Sequence, residues 1–294
     1  MKYSSHFAMQ DSIIQLEPII RIGFFFLFFA VIVGIEKKFT WRPIFASLKE
    51  RFFKHFCLLL ISTFLVRLVF PVVLVELAIK VQQTNQVSLF QLPELSGLPF
   101  AVQFCVSFLL LDLIMYWQHR IFHRYGLLWR MHLAHHSDSI LDLTTGIRFH
   151  PLEMLFLVGL RMLGVILIGP PILAVLLFEI VFNAFSMFVH SNTQLPPRIE
   201  KILRKLIVTP GMHRVHHSDI PQERDANFGI IFSFWDKMLG TYRAYSHMGD
   251  YKIIVGLEEF RDPKEKTLFA ILLQPFYLQK KRKKKPQLRK MMRN

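Results

Sequence analysis

The sequence predicts an all-α integral membrane protein with about four to five membrane segments: three spans, then a re-entering helical hairpin, under a helical cap. Apolar run length predicts the spans. Pro18–Ile35 is interrupted only by Arg21, Cys57–Ile79 only by Arg67 and Glu76, and Leu98–Trp117 only by Asp112. Crossing about 30 Å of hydrocarbon takes roughly 20 apolar residues, so each run is long enough. The shorter runs Leu152–Ile168 and Ile172–Val189 carry one charge each, Arg161 and Glu179, and are joined by Gly169-Pro170-Pro171, a turn signal. They read as the hairpin. The start of the chain, Met1–Pro18, lacks the basic segment, short apolar core and small-residue cleavage site of a signal peptide, so the first span is expected to persist.

Charge sets the expected orientation. Lys37, Lys38, Arg42, Lys49, Arg51 and Lys54 lie between the first two spans, Lys80 alone between the next two, and Arg120, Arg124, Arg130 and Arg148 after the third. Positive loops stay on the cytoplasmic side. The N-terminus is then outside, and the segments after the third span are cytoplasmic, as in a bacterial inner membrane protein. Net charge is +15, with nine positive charges in Lys280–Arg293. In a chain already held in a membrane, such a tail is expected to meet anionic lipid headgroups rather than nucleic acid. The apolar segment before it, Leu268–Leu278, suits the membrane interface. Cys57 and Cys105 lie in or beside spans and imply packing, not a disulfide framework. Three regions follow: membrane spans and loops (1–97), a central unit (98–245), and an interfacial segment with the basic tail (246–294).

Ten of thirteen histidines fall between 119 and 217. His119 and His123 form HRIFH, His132, His135 and His136 form HLAHH, and His213, His216 and His217 form HRVHH; His150 and His190 stand singly. Positions i, i+3 and i+4 share a helix face, so each cluster is expected to project its imidazoles in one direction. Several buried imidazoles on one face are costly without a metal, and neutral imidazole binds iron, zinc, copper or nickel. Eight to ten exceed what one ion takes, so a two-metal site is expected. His150, at the mouth of the hairpin, and His190, at its end, emerge at the level of the clusters and are candidate ligands. His6, His55 and His247 have no histidine within four residues and read as ordinary hydrogen-bonded side chains.

Other chemistries fit less well. A zinc protease carries HExxH, where the glutamate is the base; here Arg120 fills that slot. Bis-histidine haem needs ligands on opposite faces of a porphyrin, which tight triplets do not offer. A transporter is expected to place ligands near mid-membrane beside broken helices. A pair of irons with positions open to oxygen, acting on a lipid, remains; a non-catalytic metal-binding or transport protein is the alternative. Asp138, Asp142 and Asp219 stand beside the clusters as candidate acceptors for imidazole N–H groups, or as capping and solvated residues. Asn192 is either a water-binding or a turn residue. Trp235 and Asp236 read as structural.

HRIFH, HLAHH, the RxHPxE pattern at Arg148–Glu153, FVHSN, HRVHH and the run Asn227-Phe-Gly229, Trp235-Asp236, Gly240-Thr241-Tyr242 follow one another as in the fatty acid hydroxylase and sterol desaturase superfamily, which the chain resembles over about residues 100–245. The resemblance implies a helical membrane fold whose cytosolic cap holds a non-haem di-iron centre. It also implies O2-dependent hydroxylation or desaturation of a lipid or sterol-like substrate. Some relatives carry a fused cytochrome b5 domain. None fits this N-terminus, so electrons are expected from a separate ferredoxin-, flavoprotein- or cytochrome-type donor.

Arg161 and Glu179 each lie nine residues from Pro170, hence about 13 Å from the turn at 1.5 Å per residue. At matched depth in antiparallel helices they are expected to pair. The competing expectations are that Glu179 faces Arg67, or that Arg161 meets a lipid headgroup.

Overall fold

The computed structural model describes residues 2–72, 74–84 and 88–277. The basic tail lies outside them. The described residues hold thirteen α-helices, short 3-10 turns and three isolated β-bridges, with no strand. Five stretches are long and apolar enough to cross a membrane.

Helix α1 (Lys2–Lys38) carries the first run and extends past it at both ends. Ser47 starts α2 (Leu48–Val69), its Oγ accepting from the Glu50 N–H. The second run is not one helix. It breaks at Phe70-Pro71 and resumes as α3 (Leu74–Gln83). Proline has no N–H and disfavours helical geometry in the residue before it, and Phe70 sits at φ −120°, ψ 86°. The short α4 (Pro93–Ser96) leads into α5 (Phe100–Arg124), and α6 (Gly126–His136) follows almost at once.

The expected hairpin is α7 (Pro151–Ile168) and α8 (Ile172–His190). Gly169 closes α7 in the left-handed region (φ 64°), where a side chain is strained. The Gln82 amide donates to the Pro170 carbonyl (3.0 Å), so the turn packs beside the end of α3. The cap comprises α9 (Pro197–Leu203), α10 (Pro210–His216), α11 (Pro221–Arg224), α12 (Phe234–Met238) and α13 (Leu268–Leu273).

Without a strong hydrophobic drive between helices in lipid, close backbone approach holds such bundles together. Gly146 shows this. A Cβ there would lie 2.5 Å from the Ser186 carbonyl oxygen, so only glycine lets the 143–147 turn dock on α8 just before His190. Segment 268–277 does not simply lie on the surface. Ile271 is fully buried with Leu58 and Ala134, and Gln274 accepts from Ser137 (3.0 Å), while Phe269 and Phe276 remain exposed.

The single acid of α5 is explained by the cap. Asp112 accepts from Trp235 Nε1 (2.9 Å) and the Phe232 N–H (3.3 Å). Asp236 accepts from the N–H groups of Phe228 and Gly229 and from the Thr241 hydroxyl, which fixes the 227–242 turn. Both residues are structural.

Candidate metal centre

Nine of the ten candidate histidines converge. His119, His123, His132, His136 and His216 form one group; His135, His190, His213 and His217 form another; in each, the ligand atoms lie within 4.8 Å of one another. The C-terminal ends of α5 and α8, with α6 and α10, bring them together at the cap end of the bundle.

The triplets do not act as units. In HxxHH the first and last residues differ by about 40° around a helix, whereas the middle histidine points about 60° the other way. His132 and His136 accordingly enter the first group and His135 the second. In the later triplet His213 and His217 enter the second group and His216 the first. Each triplet bridges both groups, in opposite senses, which corrects the expectation of one direction per cluster. His136 and His217 stack at the junction, with centroids 4.4 Å apart.

Ring nitrogens are sorted by their partners. In the first group the Nδ1 atoms of His119 and His216 face the carbonyls of Phe228 and Ala226 (2.8 Å each). Those of His132 and His123 face Glu153 (2.5 Å) and Asp225 (3.3 Å). An oxygen acceptor holds the proton on Nδ1 and leaves the Nε2 lone pair free. The Nε2 atoms of all four, and both nitrogens of His136 and His217, are buried and make no hydrogen bond among the described residues. In the second group, His190 Nε2 lies 2.9 Å from Nε2 of both His135 and His213. Burial holds His132, His135, His136, His213, His216 and His217 well below the usual histidine range, hence neutral. Neutral, buried imidazoles with unpaired nitrogens fit a metal pair; hydrogen bonding alone leaves them unsatisfied.

His150 is not brought to either group. It caps α7, its Nδ1 accepting from the Leu152 N–H (3.1 Å) while Nε2 faces the Leu272 carbonyl (3.1 Å). His55 binds Thr144 and Arg148, and His247 accepts from Arg243. Asp138 and Asp142 do not orient imidazoles: Arg51 pairs with both, and Arg148 lies 3.7 Å from Asp138. Burial pushes the Asp138 carboxyl up, but Arg51 and Arg148 outweigh it and hold it well below the carboxylate range. Asp219 pairs with Arg261, and Asn192 holds the Arg42 backbone.

The sequence reading gave no role to Glu153, Asp225 or Gln118. Glu153 was visible as the last residue of RFHPLE. Gln118 adjoins His119, and its buried Oε1 has no partner among the described residues. Gln118 lines a chamber of about 40 Å³ walled by Met115, Phe122, Phe149, Leu157, Phe182 and Ile230. His119 and His132 of the first group and His135 and His190 of the second reach the same chamber. It is an apolar space onto which both groups open.

Residues 104–241, which include all nine converging histidines, match the family model described as fatty acid hydroxylase. Over this segment, just under half of the chain, the match is to the fatty acid hydroxylase family. The chain is similar to the ornithine lipid hydroxylase OlsE of Rhizobium tropici, 31% identical over 144 residues, 49% of this chain and 43% of the relative. It is also similar to the alkylglycerol monooxygenase of Danio rerio, 33% identical over 152 residues, 52% of this chain and 32% of the relative. Methylsterol monooxygenase 2-2 of Arabidopsis thaliana is 27% identical over 165 residues, 56% of this chain and 60% of the relative. The chain thus spans less than half the length of the first two. No solved structure matches it.

Proposed function

We propose that this chain is a member of the fatty acid hydroxylase family and a membrane-bound di-iron oxidoreductase that uses O2 to hydroxylate or desaturate a lipid or sterol-like substrate. The observation that carries the reading is the convergence of nine imidazoles, with unpaired ring nitrogens, on two buried points that open onto one apolar chamber. Relatives named as an ornithine lipid hydroxylase, an alkylglycerol monooxygenase and a methylsterol monooxygenase support it.

In this reading His119, His123, His132, His136 and His216 hold one iron, and His135, His190, His213 and His217 hold the other. Two bound irons would supply O2 activation and abstraction of hydrogen from an unactivated C–H bond. The protein's own groups prepare the site. Burial keeps the imidazoles neutral, and Glu153, Asp225 and the carbonyls of residues 226 and 228 fix ring orientation. Phe149, Phe182 and Leu157 exclude water and align a hydrocarbon segment. The C–H step needs no acid or base, which suits a chamber whose one carboxylate, Glu153, is committed to His132. Electrons come from a separate donor protein of ferredoxin, flavoprotein or cytochrome type.

Protein purified from an iron-replete host is expected to hold about two irons per chain, as two clusters of imidazole ligands require. Cells expressing it are expected to gain a hydroxylated or unsaturated lipid in air and none without oxygen. Zinc as the sole metal, together with unchanged lipids in air, would rule the reading out.

We place the histidine end and the C-terminus in the cytoplasm of a bacterial inner membrane. The support is the basic 36–56 segment, which is tied to the histidine end through Arg42 with Asn192 and Arg51 with Asp138. A green fluorescent protein fused to the C-terminus is expected to fluoresce; a dark fusion paired with an active alkaline phosphatase fusion at the same site would reverse the orientation.

A further inference from the structure

A second cavity, of about 460 Å³, lies between α1, α2, α3, α7 and α8. That is within the range of ligand sites, roughly 300–1,000 Å³. It is not the histidine chamber. On α7, Glu153 and Leu157 face the histidines while Met154, Val158 and Arg161 face this groove. On α8, Phe182, Ser186 and His190 face one side, Glu179 and Asn183 the other. The α7–α8 hairpin is the wall between them.

The groove is amphipathic along its length. Toward the cap it is apolar, lined by Phe25, Phe56, Leu59, Ile147 and Met154. Farther from the cap it is charged, with Arg21, Arg67 and Arg161 set against Glu17 and Glu179. Arg161 pairs with Glu179 (2.6 Å), and Arg21 bridges Glu179 (3.3 Å) and Glu17 (2.7 Å). These pairs neutralise one another and leave Arg67. It is exposed and makes no ion pair or hydrogen bond among the described residues, nor do the Asn183 amide and the Thr63 hydroxyl. Arg67 lies sixteen residues down α2 from Arg51, which is paired with Asp138 at the histidine end. That is about 24 Å at 1.5 Å per residue, in the half of the bilayer away from the histidines. The mouth is open to lipid, because Ile22, Phe26 and Leu60 on its rim are 58%, 49% and 53% exposed.

We propose that this groove is a lipid site separate from the histidine chamber, holding an anionic phospholipid with one acyl chain along the apolar end and its phosphate on Arg67. A lone guanidinium facing hydrocarbon is costly, and a phosphate both neutralises it and matches its planar fork. Three guanidinium groups against two carboxylates favour an anion. A second copy of this chain would bring the same charge excess and be repelled. Asn183 and Thr63 supply donors for the glycerol ester region. The proposal does not rest on the oxygenase reading.

The test is lipid retention. The full-length protein in mild detergent is incubated with phosphatidylglycerol or phosphatidylcholine of matched chains, then examined by native mass spectrometry and thermal shift. Wild type is expected to retain phosphatidylglycerol in preference by roughly fivefold, the size of one basic residue's attraction for anionic lipid. Arg67→Gln is expected to lose that preference, Arg67→Lys to keep part of it, and Arg198→Gln, an exposed cation in the cap, to match wild type. Thr63→Trp, which keeps Arg67 and fills the mouth, is expected to lose the bound lipid. A preference surviving in Arg67→Gln, an equal stabilisation by inorganic phosphate alone, or a fatty acid or second protein copy as the occupant would each overturn the proposal.

Discussion

Alanine in place of His216 or His135 is expected to abolish lipid turnover and to lower bound iron. His216 Nε2 is one of five ligand atoms in its group, and His135 Nε2 sits against His190, which in turn meets His213. Each residue also belongs to a triplet that spans both groups, so its loss disturbs two sites. Removing a residue that only orients a ligand costs roughly 10–100-fold in metal affinity or activity, and loss of a ligand is expected to exceed that range. His150→Ala is the contrasting variant. It removes a helix cap, worth about 1 kcal/mol, and is expected to keep its iron. Metal analysis and lipid profiling of the three variants decide the matter. Iron and turnover at wild-type levels in His216→Ala, or iron lost in His150→Ala, would refute the assignment.

Glu179→Ala is expected to be the most destabilising single change within the spans. The Glu179 carboxylate accepts from Arg161 and Arg21, and removing it leaves Arg161 buried with the Leu157 carbonyl and the face of Phe182 but no counter-charge. Breaking a buried ion pair by removing one partner costs about 3–5 kcal/mol. Arg161→Ala is expected to cost less, because Arg21 still reaches Glu179. The swap Arg161→Glu with Glu179→Arg is expected to recover only part of the loss, since it sets a cation at position 179 against Arg21. Thermal unfolding in detergent measures all three. Equal losses for the two single changes, or complete rescue by the swap, would show that Arg21 plays no part.

Much of the architecture follows from run length and local chemistry. Five apolar segments, a Gly-Pro-Pro turn and histidines all emerging at one end are properties of single segments, and so is the equal distance of Arg161 and Glu179 from the turn. Their pairing was legible for that reason. Pro71 was equally visible, and its break in the second span follows from proline's missing N–H.

The sequence by itself determined that imidazoles would crowd one end of a helical membrane bundle. Only the tertiary structure decided how they divide. Helical period gives a side chain's direction about its own axis but not where another axis passes, so the split of each triplet between two groups appears only once α6 and α10 face each other. His150 shows the converse. It stands outside the helical period as a cap, at φ −69°, ψ 143°, and its ring turns to the backbone of α7 and to Leu272 rather than to the metal groups. Arg21 joins Glu179 from 158 residues away, Arg51 takes the aspartates beside the triplets, and Glu153 takes His132. These partners are set by which helices pack together, and a contact between distant segments leaves no periodic mark on either one.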